Sequence, residues 1–183
     1  MTRRVQLVAV AALALGLAVA SIALASGGSA RHNRHHGHHG QFRANLIGFN
    51  EVPAVNTTGH AKLKLDVSKD EIDFRLDYAD LSGNPLFAHI HVGQFNVNGG
   101  VAIFFCGGGG KPACPASTSG TVTGTIVPAD VVGPAAQGYA VGDLASVVKA
   151  IKAGFAYANM HTAKFPGGEI RGQIEGGNGH RGH

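Results

Sequence analysis

Apolar side chains recur at every second position along most of the chain, which indicates strands that bury one face. The clearest segments cover residues 42–46, 61–67 and 72–78, and a polar turn at 68–71 joins the last two into a hairpin. Further strands are predicted at residues 86–92, 101–106, 121–127, 155–159 and 169–175. Many short strands separated by turn residues predict an all-β fold, a Greek-key-like antiparallel β-sandwich or barrel.

One segment departs from the two-residue period. The stretch DLASVVKAIK spaces its apolar residues three and four positions apart, as one face of a helix does. Asp143 stands in the N-cap position of this segment, and Gly154 follows it as a stop signal. We therefore expect one short helix over about residues 143–153.

The stretch LFAHIHVG, residues 86–93, combines an apolar face with a pair of histidines. Because successive side chains of a strand point to opposite faces, His89 and His91 project from the same side, roughly 7 Å apart at Cα. The opposite side carries Leu86, Ala88, Ile90 and Val92. That apolar side is the natural core face, so the histidines are left to meet a ligand, a metal ion or a second layer of chain.

A third imidazole comes from His161, at the end of a later predicted strand. Three histidines can hold one copper or zinc ion and leave a fourth position open. The alternative is that they are surface groups or hydrogen-bonded groups that tie loops together. His60, beside Gly59, is a lesser candidate. The predicted metal ligands are His89, His91 and His161.

Five polar residues are candidates either to orient these histidines or to serve as structural groups: Glu51, Tyr157, Asn159, Glu169 and Arg171. Arg171 can pair with Glu51 if the first and last strands are neighbours. A paired carboxylate and guanidinium is usually structural. In the alternative, Glu51 or Glu169 accepts a hydrogen bond from a histidine ring and orients it. Tyr157 and Asn159 are predicted to share a strand face with His161.

Two cysteines, Cys106 and Cys114, flank a glycine-rich loop. In an exported chain, an even and closely spaced pair predicts a disulfide. Closing so short a loop stabilises the fold by about 2.5 kcal/mol on the chain-entropy account. The competing interpretation, a thiolate metal site, lacks the usual ligand spacing and a third soft ligand nearby.

The ends of the chain differ from its body. Residues 1–25 are predicted to be a secretory leader, because two arginines precede a long apolar run that ends in small residues. An uncleaved membrane anchor is the alternative. Residues 26–40 and 176–183 are rich in Gly and His and are predicted to be a disordered linker and tail. One domain, residues 41–175, is then expected outside the cytoplasm, as a secreted, periplasmic or cell-surface protein.

Charge narrows the range of partners. The formal net charge is +4, but from Gln41 onward eleven Lys and Arg balance eleven Asp and Glu. The excess of positive charge therefore comes from the ends, and the body lacks the basic stripe with interleaved aromatics that nucleic-acid binding requires. The expected partner is an extracytoplasmic protein or surface polymer, with membrane contact only through a retained leader.

Three segments, FNEVPAV (49–55), AHIHVG (88–93) and YANMHTAKFPGGEIRGQI (157–174), occur in this order, and together they resemble the CHRD domain, named for the developmental regulator chordin. The resemblance implies an extracytoplasmic β-rich domain, often the single domain of bacterial members, with a binding role more readily than a catalytic one. The chain departs from the usual family pattern at FCGGGGKPACP, residues 105–115. A looser similarity, limited to residues 89–91, connects the chain to copper/zinc superoxide dismutase.

Two functional hypotheses follow. The first is a binding or structural module that holds a copper or zinc ion through its histidines. The second is a copper- or zinc-dependent redox enzyme resembling superoxide dismutase. Binding is favoured because the body has only His60 and His161 besides the HxH pair. Motifs for a serine nucleophile, a phosphate loop or a hydrolase carboxylate pair are absent from the sequence.

Overall fold

The computed structural model describes residues 40–177, which form nine β-strands and one α-helix. The strands are β1 (Gly40–Ile47), β2 (His60–Val67), β3 (Ile72–Ala79), β4 (Pro85–Val92), β5 (Gly100–Cys106), β6 (Gly120–Ile126), β7 (Ala156–Thr162), β8 (Ile170–Gln173) and β9 (Glu175–Gly176). The helix, α1 (Leu144–Lys152), lies between β6 and β7. Short 3-10 turns occur at Gly48–Asn50, Pro128–Asp130 and Ala135–Gln137.

All nine strands belong to one antiparallel sheet. Their order is β5-β4-β7-β8-β1-β2-β3-β6, and β9 pairs with β1. The outermost strands β5 and β6 contact each other, and a bridge between Ile103 and Val131 joins β5 to the segment that follows β6. The sheet is therefore nearly closed and barrel-like. The predicted all-β antiparallel fold with one short helix is confirmed, in its barrel form.

From Ala88 to Val92, strand β4 is buried on both of its faces. Ala88, Ile90 and Val92 point into the core, while His89 and His91 lie on the opposite face and are also buried. The expectation that Leu86 belongs to the core face is wrong, because 43% of this residue is exposed. The pairing of β4 with β7 shifts between Pro85 and Phe87, and Pro85 is buried instead.

The helix and the disulfide both lie where the sequence predicts them. Asp143 caps α1 by accepting a hydrogen bond from the Ser146 N–H at 3.0 Å, and the buried face of the helix packs into the core. Gly154, just beyond the helix, has a φ of 78°, which glycine adopts at little cost. Cys106, at the end of β5, is bonded to Cys114.

The predicted leader and linker and most of the predicted tail lie outside the described residues. Of those segments, the structure describes Gly40, which belongs to β1, Gly176, which belongs to β9, and Gly177. Within residues 40–177, the one α-helix has neither the length nor the apolar character that a membrane crossing needs.

The burial of β4 predicts unequal effects from two truncations on the same strand. Ile90→Ala removes a side chain with no exposed surface, so we expect it to lower the free energy of unfolding by about 2–5 kcal/mol. Leu86→Ala, the matched control, changes an exposed residue and should alter stability by less than about 0.5 kcal/mol. Urea denaturation of both variants measures the difference. Equal losses would contradict the assignment of the two positions.

Candidate metal centre

Strands β4 and β7 bring three histidine rings together on the face that lies away from the core. The register of the two strands sets Phe87 opposite His161, His89 opposite Asn159, and His91 opposite Tyr157. The ring of His89 lies 4.5 Å from that of His91 and 4.7 Å from that of His161, between centroids. One nitrogen from each of the three rings lies within 4.8 Å of the other two. The three predicted ligands therefore form one cluster.

A backbone carbonyl fixes the orientation of His91. The Nδ1–H of this ring donates a hydrogen bond to the carbonyl oxygen of Gly99 at 2.8 Å. A Cβ atom at position 99 would collide with the carbonyl of Val92, so only glycine brings the backbone this close to β4. With its proton on Nδ1, a neutral His91 carries its lone pair on Nε2.

His161 is oriented in the same way from the other side of the cluster. Its Nδ1–H donates to the carbonyl oxygen of Pro166 at 2.9 Å, which leaves the lone pair on Nε2. That Nε2 atom and the Nδ1 atom of His89 are both buried and have no hydrogen-bond partner among the described residues. Backbone carbonyls thus hold the Nδ1 atoms of His91 and His161. His89 and His161 each have one buried nitrogen without a partner among the described residues.

Burial keeps the imidazoles neutral. It lowers the pKa of His89 to about 2, with further lowering from the charges of His91 and His161. It lowers the pKa of His91 to about 4, although hydrogen bonds with Gly99 and Asn159 oppose the shift. Burial also lowers the pKa of His161. At neutral pH all three rings are therefore uncharged, which is the state in which imidazole binds a metal ion.

The ring of His91 packs against Tyr157, which in turn contacts Arg171. The Tyr157 ring lies parallel to that of His91, with centroids 4.6 Å apart, and the Arg171 guanidinium lies over the Tyr157 ring, 3.4 Å from its centroid. Arg171 also donates hydrogen bonds to Asn98 Oδ1 at 2.9 Å and to the carbonyl oxygen of Val97 at 2.8 Å. This buried arginine therefore holds the loop that presents the Gly99 carbonyl to His91.

Asn159 and Glu51 complete the polar part of the cluster. Asn159 is 4% exposed, and its Oδ1 atom lies 3.1 Å from Nε2 of His91. Burial raises the pKa of Glu51 to about 7, while the charge of Arg171 and hydrogen bonds with Asn159 and Val52 oppose the shift. Glu51 Oε1 is buried and has no hydrogen-bond partner within the described part of the chain.

With this geometry established, comparison with known proteins identifies the family. The family model of the CHRD domain matches residues 42–174. The chain belongs to the CHRD-domain family. No curated protein and no solved structure matches the chain. The three histidines of this CHRD domain all lie within the matched region, as do the polar residues around them.

Not every residue predicted for the site of the CHRD domain lies beside the histidines. Glu169 is fully buried and accepts four hydrogen bonds, two from Ser82 and one each from Thr57 and Thr162, at 2.6–2.8 Å. Burial acts to raise its pKa, but these bonds together hold the pKa below its usual value. Glu169 therefore ties loops and β7 together and does not orient a ring. His60 is exposed, hydrogen-bonded to the Thr58 carbonyl oxygen, and outside the cluster.

Three groups that shape the centre were not predicted from the sequence. The carbonyl oxygens of Gly99 and Pro166 orient two of the rings, whereas the sequence had suggested carboxylates. The ring of Phe104 meets that of His89 edge to face, with centroids 5.1 Å apart. The sequence shows Phe104 as one residue of a continuous apolar run, and only the pairing of β5 with β4 reveals that it faces the histidines.

The raised pKa of Glu51 predicts a pH-dependent gain in stability on substitution. Between pH 4.5 and 7 the folded chain keeps a proton that the unfolded chain has released, so the contribution of Glu51 to stability falls as pH rises through this window. Glu51→Gln, which stays neutral, should gain about 1–3 kcal/mol of stability relative to the metal-free parent between pH 5 and pH 8. Urea denaturation in the presence of a chelator measures both values.

The matched control is Glu169→Gln. Because the folded-state pKa of Glu169 is lowered, its carboxylate contributes stability that is present above the unfolded-state pKa and is lost as pH falls. This variant should therefore be less stable than the parent at pH 8. If Glu51→Gln changes stability equally at pH 5 and pH 8, the account of Glu51 is wrong.

Proposed function

We propose that this CHRD domain is an extracytoplasmic binding module that holds one zinc or copper ion through His89, His91 and His161. The main support is the orientation of the imidazole rings, which turns nitrogen lone pairs into the cluster. Backbone carbonyl oxygens accept the Nδ1–H groups of His91 and His161. Nε2 of His161 and Nδ1 of His89 are buried and have no hydrogen-bond partner within residues 40–177. An ion at this point satisfies nitrogens that otherwise lack a hydrogen bond.

The energetics of burial favour an ion at this point. A buried polar atom without a partner costs about 1–3 kcal/mol, and the cluster holds two such nitrogens within its three rings. Apolar side chains on the histidine face of β4 would avoid this cost. The opposite face of β4 is of that kind, since it buries Ala88 and Ile90, whose side chains have no polar atoms. A bound ion converts the unpaired lone pairs into ligand bonds and offsets the cost.

The ligand chemistry selects the class of metal. Neutral imidazole suits zinc and copper, whereas calcium and magnesium require oxygen ligands. Two ligands on one zinc ion lie roughly 3.3 Å apart, given bonds of about 2.0–2.1 Å. The three nitrogens lie within 4.8 Å of one another, so binding one ion requires them to approach by at most about 1.5 Å.

Binding is favoured over redox catalysis by the enclosure of the centre. His89 and His91 are 5% and 9% exposed, and the Phe104 ring and the loop that carries Gly99 cover them. A dismutase needs a path by which a small oxygen species reaches the metal. The buried rings give such a substrate little access, and the CHRD family membership is in keeping with a binding role.

The proposed location and partner rest on other features. The Cys106–Cys114 disulfide suits an oxidising compartment, as does the predicted leader. The partner is proposed to be an extracytoplasmic protein or surface polymer. Three phenylalanines outside the strands, Phe49, Phe95 and Phe155, are 50–69% exposed. Aromatic residues are enriched at protein interfaces relative to the rest of a protein surface.

Metal content tests the proposal most simply. The protein is prepared with its disulfide intact and with the seven histidines outside residues 40–177 replaced by asparagine, which we call the tail-silent protein. After incubation with zinc or copper and desalting, we expect one equivalent of metal by mass spectrometry. His91→Ala should retain at least tenfold less metal, whereas His60→Ala, the control outside the cluster, should retain as much as the parent.

Two results would contradict the proposal. Absence of retained metal after exposure to both ions would mean that the three histidines are structural. Saturable superoxide dismutation by the copper-loaded tail-silent protein, lost in His89→Ala, would replace the binding role with the redox enzyme.

A further inference from the structure

Two atoms that both accept hydrogen bonds face each other at the centre of the cluster. His91 donates its ring proton from Nδ1 to Gly99, so its Nε2 atom carries a lone pair. The atom 3.1 Å from Nε2 is the amide oxygen of Asn159, which also carries lone pairs. Two facing lone pairs are unfavourable unless a cation lies between them. The ring proton does not lie between them, because Nδ1 donates it to the Gly99 carbonyl oxygen.

The structure turns the oxygen of the Asn159 amide, rather than its NH2 group, toward His91. The carboxyl group of Glu51 lies beside this amide. A carboxylate oxygen accepts hydrogen bonds, so Glu51 suits the NH2 group of Asn159 and leaves the amide oxygen facing His91.

The position of Asn159 suits a ligand of the same ion. It lies directly opposite His89 in the β4–β7 pairing, two residues before His161 on the same face of β7. Its separation of 3.1 Å from His91 Nε2 is close to the roughly 3.3 Å between two ligands of a tetrahedral ion. Asn159 is 4% exposed, so a competing water molecule has little access to the same place.

We propose that Asn159 supplies the fourth ligand through Oδ1 and closes the metal centre. The inference rests on the proposed function, since it needs an ion at His89, His91 and His161. Three imidazole nitrogens and one amide oxygen then fill a tetrahedral site, with Glu51 holding the amide in place. A closed four-ligand site is the arrangement of structural metal centres, whereas catalytic zinc sites keep one position open.

Cobalt and azide test this assignment in the full-length tail-silent protein. Co²⁺ occupies zinc sites and reports its ligand number by its visible spectrum, and azide binds only where a position is open. We expect one equivalent of Co²⁺ with a four-coordinate spectrum that excess azide leaves unchanged. Asn159→Ala should bind Co²⁺ at least about tenfold more weakly and should show a new azide-to-cobalt band.

Two further variants separate a ligand from a structural role. Asn159→Asp keeps an oxygen at the fourth position, so it should bind Co²⁺ at least as well as the parent and remain insensitive to azide. Asn98→Ala removes a nearby asparagine that contacts Arg171 and should also remain insensitive. This variant controls for loosening of the loop that carries Gly99.

The outcomes distinguish this inference from the proposed function. If azide changes the spectrum of the parent protein as strongly as that of Asn159→Ala, the fourth position is open and Asn159 is not a ligand, although the three histidines still bind. If Asn159→Ala keeps the affinity and the azide insensitivity of the parent, the same conclusion holds. If the parent retains no Co²⁺, the metal-binding function fails together with the inference.

Discussion

Residues 88–92 of β4 are buried on both faces of the strand, and this double burial determines what the surrounding loops must supply. One face packs Ala88, Ile90 and Val92 into the core, and the other holds His89 and His91 away from solvent. Imidazoles are rarely buried without partners, because each ring nitrogen needs a donor or an acceptor. The loops that cover this face therefore have to supply hydrogen bonds to the rings, and they supply fewer than the rings can make.

The loops that cover the histidines orient them through backbone carbonyl groups. Gly99 and Pro166 offer carbonyl oxygens to two rings, and Arg171 anchors the first of these loops while it stacks on Tyr157. The positive charge of the buried Arg171 also lowers the pKa of His91. The hydrogen bonds that hold these loops on the sheet also leave the Nε2 lone pairs of His91 and His161 pointing into the cluster. The stability of the fold and the proposed metal binding therefore depend on the same contacts.

Alternation along the strands was enough to predict much of this arrangement. The two-residue period placed His89 and His91 on one face and Tyr157, Asn159 and His161 on another, and the register of β4 with β7 joins the two sets. The carbonyl contacts could not be predicted, because any residue has a carbonyl and only the path of the loop selects one. The exposure of Leu86 could not be predicted either, because it accompanies a shift in the β4–β7 register. Nor could the surroundings of Glu169, because the hydroxyl groups that bond to it come from distant loops.

The metal-free fold already directs the lone pairs of His91 and His161 toward the centre of the cluster. Nitrogen-15 NMR of the histidine rings, recorded on the metal-free tail-silent protein at pH 7, tests it directly, because the two ring nitrogens have different shifts with and without a proton. We expect both rings to be neutral and to carry the proton on Nδ1. A proton on Nε2 of either ring, or a doubly protonated ring, would contradict it.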